Sequence, residues 1–134
     1  MSTYVTCGFW LRTRLGKLDE AEQFLRDGWR NNPDSYEILF ELGRLFEENR
    51  QDPARARNVW ELALKKWEAR ESAKKEPDRL GLEQIVGHLA FLEEKEQNWA
   101  REVQLLEILK KLSPNPEAIE ERLREARQKL SPSR

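Results

Sequence analysis

The feature that most restricts the fold of this chain is a recurring alternation of small and large apolar residues at helical spacing. Leu42-Gly43 is followed by Phe46 and, past a break, by Ala56, Trp60 and Ala63. Small residues on both segments let two helices approach closely, while Phe46 and Trp60 fill the space left beside them. The second half of the pattern occurs earlier as Ala21, Leu25, Gly28 and Pro33. The first half returns later as Val86, Leu89 and Ala90, followed by Trp99, Leu106, Leu109 and Pro114. Self-similarity of this kind predicts a row of helix pairs, each too small to bury its apolar face alone.

Punctuation agrees with that prediction. Asp52-Pro53 and Asn115-Pro116 each place an N-cap before a proline at the first helical position, where the missing N–H costs nothing. Asp34 and Glu37 have capping-box spacing, and Asn98 is placed to cap the segment after it. Helical windows follow at 3–15, 18–31, 35–48, 53–75, 79–96, 99–112 and 117–130, joined by short connections that favour antiparallel neighbours. The cleanest stripe is the last, Ile119, Leu123, Ala126 and Leu130. Glu22/Arg26, Glu61/Lys65, Glu120/Arg124 and Glu125/Lys129 have the i,i+4 spacing, acid first, that supports a solvated helix face. No window alternates as a strand would, so the expected fold class is all-α.

Charge and composition close off several functions. The 24 Lys+Arg and 25 Asp+Glu nearly cancel, and they interleave along the chain, whereas a nucleic-acid binder needs a cationic surplus on one face. One Cys and one His exclude an internal disulfide and an ordinary four-ligand zinc site. Cys7 and His88 lack the orienting group and oxyanion donors that a nucleophile–base dyad requires. The clusters Glu47-Glu48 and Glu93-Glu94-Glu96 read as solvated faces. No enzyme, cofactor or metal is therefore expected. The most apolar run, Val5–Leu11, is too short to span a bilayer and lacks the flanks of a secretory signal, which points to a cytoplasmic protein.

The spacing resembles the tetratricopeptide repeat family. Leu15-Gly16-Lys17-Leu18-Asp19-Glu20-Ala21-Glu22 followed by Pro33 is similar to that family's turn and second helix, and Leu39-x-x-Leu42-Gly43-x-x-Phe46 to its first. The resemblance implies a single right-handed superhelical array of antiparallel helix pairs over 1–134. Its parts would be repeats at 1–34, 35–76 and 77–115, a capping helix at 116–130 and a tail at 131–134. Departures are the missing first-helix signature in repeat one, the long second helix in repeat two and Glu93 in place of an aromatic. Phe46-Glu47 with Ala54-Arg55-Ala56-Arg57-Asn58-Val59-Trp60-Glu61 also resembles the half-a-tetratricopeptide repeats of RNA-processing scaffolds.

In such an array the first helix of each pair lines the concave face. The resemblance thus implies a groove lined by Thr6, Cys7, Trp10 and Arg14, by Glu37, Phe40, Glu41 and Arg44, and by Gln84, Gly87, His88 and Phe91. Of these, Trp10, Arg14, Phe40, Glu41, Arg44, Gln84, His88 and Phe91 are the expected partner-binding residues, with the aromatics as anchors for a helix or peptide of another protein. Some members of the family clamp a C-terminal carboxylate with Lys, Asn and Arg; Thr6, Trp10, Glu41, Gln84 and His88 at the matching positions supply no such clamp. The apolar residues of segment 4–15 wrap most of that helix. This gives a rival expectation of self-association through it, with an RNA-processing scaffold as a further alternative; neither nucleic acid nor membrane is an expected partner.

Overall fold

In the computed structural model residues 3–131 are described, and among them there are seven α-helices and no strand. They are α1 (Thr3–Thr13), α2 (Leu18–Asn31), α3 (Tyr36–Arg44), α4 (Pro53–Glu71), α5 (Arg79–Lys95), α6 (Trp99–Leu112) and α7 (Pro116–Leu130). A π-helical turn, Leu45–Asn49, continues α3. The expected tail lies outside the described residues except for Ser131. Two compact units divide the chain, Met1–Pro77 and Asp78–Arg134. In the first, α1 packs on α2, α2 on α3 and α3 on α4, and α1 also reaches α3; in the second, α6 packs against both α5 and α7.

The pairs α1–α2, α3–α4 and α5–α6 enter their second helices in the same way. Each has a left-handed residue two positions before its second helix: Gly16 (φ 63°), Gln51 (φ 52°) and Gln97 (φ 59°). Extended-side N-cap residues Lys17, Asp52 and Asn98 follow, with ψ of 76°, 82° and 74°. After α5 the turn is a tight left-handed C-cap: the Asn98 amide donates to the Glu93 carbonyl (2.8 Å) and the Gln97 amide to that of Glu94 (3.1 Å). After α1 and α3 it is one residue wider. There Leu15 donates to Trp10 (3.2 Å) and Lys17 to Leu11 (2.8 Å), while Arg50 donates to Leu45 (3.1 Å) and Asp52 to Phe46 (2.8 Å). The π-helical turn accommodates that extra residue in the second pair.

Close helix approach supplies the packing. Gly43 sits under Trp60, so a methyl group on Gly43 would overlap the indole. Trp60 is almost wholly buried, and its Nε1–H donates to the Phe40 carbonyl at 3.0 Å, which satisfies the one polar atom of the ring. The first pair uses the same device twice, with Leu25 against Gly8 and Tyr4 against Gly28. Ala21, Ala56, Ala63 and Ala90 are fully buried, as the small–large pattern requires, together with Leu42, Leu89 and Leu106. Tyr36, Phe46 and Trp67 are buried as well, while Trp29 and Trp99 are half-buried, so Trp99 is not the core residue its pattern suggests.

Several local expectations are corrected. The cap of α3 is Ser35, whose Oγ accepts from the Ile38 amide (3.3 Å), because Ser35 is the last extended residue and Asp34 lies one step too early. Asp34 instead pairs with Lys66 (3.2 Å). Asn98 and Asn115 occupy cap positions without a side-chain capping bond. The α4 helix ends at Glu71 and does not run to residue 75, since no apolar stripe continues past Trp67 and the Ser72 hydroxyl bonds back to the Glu68 carbonyl. Glu22 pairs with Arg26 as expected (2.9 Å), but Glu120 reaches across to Lys110 and the Lys129 ammonium lies 5.9 Å from the Trp99 ring centre.

Two substitutions check this packing in urea unfolding. Trp60→Ala is expected to cost about 3–5 kcal/mol as a large-to-small core change. Gly43→Ala gains about 1 kcal/mol of helix propensity but forces the indole out of place, at a cost of about 1–3 kcal/mol. The net effect is destabilising, and a stabilised Gly43→Ala protein would contradict the close approach.

Candidate functional site

The candidate residues fall into the two units, five in the first and three in the second. On α1, Trp10 is 50% exposed and carries the Arg14 guanidinium 5.0 Å from its ring centre, one helical turn on. A cation over an exposed indole contributes about 0.5–1 kcal/mol, enough to bias the ring's orientation without burying it. Phe40 is less available. It is half-buried and stacks on Trp60 with ring centres 6.3 Å apart and planes 30° from parallel.

Glu41 is committed to the fold. It is 3% exposed, and its carboxylate accepts from Arg12 Nε at 2.6 Å, with the Arg12 side chain 1% exposed. Around this pair Arg12 Nη1 donates to Glu48 (3.3 Å) and to Asn49 Oδ1 (3.0 Å). Arg44 donates to Glu48 (2.8 Å) and stands 3.8 Å from Glu41. The Phe9 ring lies against both guanidinium groups, 5.5 Å from that of Arg12 and 5.9 Å from that of Arg44. Burial pushes the Glu41 carboxyl above its ordinary range, against the hydrogen bond from Arg12 and the charges of Arg12 and Arg44. At Glu48 burial acts in the same direction, but the bond from Arg44 and the charges of Arg44 and Arg12 outweigh it and hold the carboxyl low. The cluster therefore ties α1 to α3. Arg12 Nη2, however, is buried with no hydrogen-bond partner among the described residues.

Sequence reasoning selected Arg14 and missed Arg12. The signal was present: Arg12 stands one turn after Gly8, the glycine that receives Leu25, so the contact face of α1 passes through it. A charge at that position is buried and must be paired.

In the second unit the candidates share one face of α5. Gln84 is exposed, His88 is half-buried with Nδ1 2.8 Å from the Gln84 carbonyl, and Phe91 is 56% exposed. The Lys95 ammonium lies 5.6 Å from the Phe91 ring centre, again one turn on. Leu80 extends the same face as a further exposed apolar residue.

The first unit also holds an open groove of ≈ 680 Å³ lined by Asn32, Pro33, Ser35 and Ile38 and by charged residues of α3 and α4. Its walls are joined by Asp34–Lys66 (3.2 Å) and Glu37–Arg70 (3.3 Å), with Arg70 over Tyr36 at 5.2 Å. Glu37, expected in the partner groove, is thus engaged here. Among the described residues no group of three His, Cys, Asp or Glu side chains is placed to hold a metal ion, and no helix is long and apolar enough to cross a membrane. Compared with known proteins, the chain matches no family model and no curated protein.

The buried pair makes a direct prediction. Arg12→Met leaves Glu41 buried without its cation and should cost about 3–5 kcal/mol. The double variant Arg12→Met/Glu41→Met should recover most of that loss. A double-mutant cycle by chemical denaturation measures the coupling; single-variant effects that add within about 0.5 kcal/mol would show that the two side chains do not interact.

Proposed function

We propose that this chain is a non-enzymatic protein-recognition module. In this reading its three helix pairs form a right-handed superhelical array of the tetratricopeptide kind, closed by α7, and the first helices present a groove to a helix or peptide of another protein. The observation that carries it is a repeated exposed feature. Trp10 with Arg14 on α1, and Phe91 with Lys95 on α5, are each a solvent-facing aromatic backed by a cation one turn later. Aromatic rings held on rigid helices lose little side-chain entropy on binding, which is why they serve as anchors. The left-handed residue that precedes each second helix supports the repeat reading, because it recurs in all three pairs although the residues and the helix ends before it differ. Phe40 and Glu41 contribute to that surface through packing, while Arg44, Gln84 and His88 supply its polar rim. The module works in the cytoplasm, where its single thiol, Cys7, stays reduced.

A second reading has its own support. Leu15 is exposed alongside Trp10, and Tyr4, Val5, Phe9 and Leu11 are only half-buried, so segment 4–15 offers apolar area to another copy of the chain.

Capture from native lysate, followed by mass spectrometry, separates the two. Trp10→Ala and Phe91→Ala should each cost no more than about 1 kcal/mol of stability, the size of the cation–ring contact they remove, yet abolish retention of the partner. Phe40→Ala should lower the melting temperature, because it removes the ring stacked on Trp60. Undiminished capture by the Trp10→Ala/Phe91→Ala protein would overturn the groove reading. A shift from dimer to monomer on Trp10→Ala alone, by light scattering, would favour self-association.

A further inference from the structure

In the second unit a carboxyl group is buried where α5, α6 and α7 meet. Glu102, in the first turn of α6, is 1% exposed, and its Oε1 has no hydrogen-bond partner among the described residues. Its other oxygen stands 3.8 Å from Arg122 of α7, too far for a good hydrogen bond. Arg122 is closer to Glu94 of α5, at 3.5 Å. The charged groups facing Glu102 are therefore Glu94 from α5 and Arg122 and Glu125 from α7. As a carboxylate, Glu102 would place a third negative charge around one guanidinium and leave a buried acceptor unmet. As a carboxylic acid, its hydroxyl donates to Glu94, which stays paired with Arg122. Burial first, then the hydrogen bond and charge of Glu94 and the charge of Glu125, raise its pKa from 4.5 to about 7 against the pull of Arg122.

This group sits at the junction where α7 packs on α6. The apolar anchorage of that helix is a narrow stripe, with Leu123 and Ala126 buried, Ile119 half-buried and Leu130 exposed. Among the described residues α7 is also tied by Arg122–Glu94, by Glu120–Lys110 and Arg127–Glu107, and by Lys129 over the Trp99 ring. Exposed pairs contribute little, whereas an ionised carboxylate buried at this junction is costly, so the protonation state of Glu102 bears on the docking of α7.

We propose that α7 is a proton-controlled latch: docked beside Glu102 through Arg122 and Glu125, it keeps that carboxyl buried and protonated, and loss of the proton leaves a buried charge that loosens α7 and bares the α6 surface that it covers. The direction follows from linkage. The docked state binds the proton more tightly than the open state, so docking is favoured below the ordinary carboxyl range and weakens as pH rises through neutrality.

Hydrogen exchange on the full chain tests the latch. After correction for intrinsic exchange rates, α7 amide protection should fall about tenfold between about pH 5.5 and about pH 8. Glu102→Gln, neutral at every pH and still able to donate to Glu94, should keep α7 protected throughout. Carbon-detected NMR of the unaltered protein should show the Glu102 carboxyl titrating near neutrality, whether or not the Gln variant folds. PH-independent α7 protection in the unaltered chain, an unchanged pH response in Glu102→Gln, or a carboxyl midpoint in the ordinary acidic range would each overturn the proposal.

Discussion

The fit of a large side chain into the notch of a glycine on the facing helix is the constraint on which the first unit depends. Trp60 lies on Gly43, Leu25 on Gly8 and Tyr4 on Gly28. Each contact brings two backbones together at a distance that a methyl group would forbid, and each therefore fixes the register of its pair. Glycine inside a helix is unfavourable by about 1 kcal/mol relative to alanine; burial of an indole or a leucine, about 1.5–3 kcal/mol for a side chain of that size, outweighs it. With the inner faces settled in this way, the outer faces are released from packing duty. Trp10 lies on such an outer face and is half exposed.

Buried charge is handled differently in the two units. The first unit neutralises Glu41 with Arg12 at 2.6 Å and surrounds the pair with Glu48, Asn49 and Arg44, so α1 is held to α3 by a paired charge. Breaking such a pair is costly even where forming it adds little net stability, and its chief contribution is to exclude other registers. In the second unit Glu102 has only a distant Arg122, and a proton substitutes for the missing cation. One junction thus meets its buried carboxylate with a cation, and the other with a proton.

Much of the fold was legible because it rests on local rules. Pro53 and Pro116 start α4 and α7 as their geometry demands, and the small–large pattern identified Gly43, Ala56, Trp60 and Ala63 as facing residues. What escaped depends on geometry that no spacing records. Gln51 and Gln97 take left-handed conformations that the sequence suggests only for glycine, and the widened end of α3 has no residue signature. Ser35 displaced Asp34 as a cap by one position, which lies within the ordinary uncertainty of a helix boundary. The candidate site was legible at its exposed members, Trp10 and Phe91. It was opaque at Glu41, whose burial depends on Arg12 arriving from another helix. Glu102 escaped altogether, since among so many helical carboxylates nothing in its neighbours marks it.

The proposed array is tested most directly by paramagnetic broadening in NMR. A nitroxide attached at position 91, in a Cys7→Ser/Phe91→Cys protein, reports which residues share a surface with Phe91. If the first helices line one groove, resonances of Phe40 and Arg44 on α3 broaden along with those of α5, and the effect weakens toward Trp10. Broadening confined to the second unit, with the α3 resonances untouched, would contradict it.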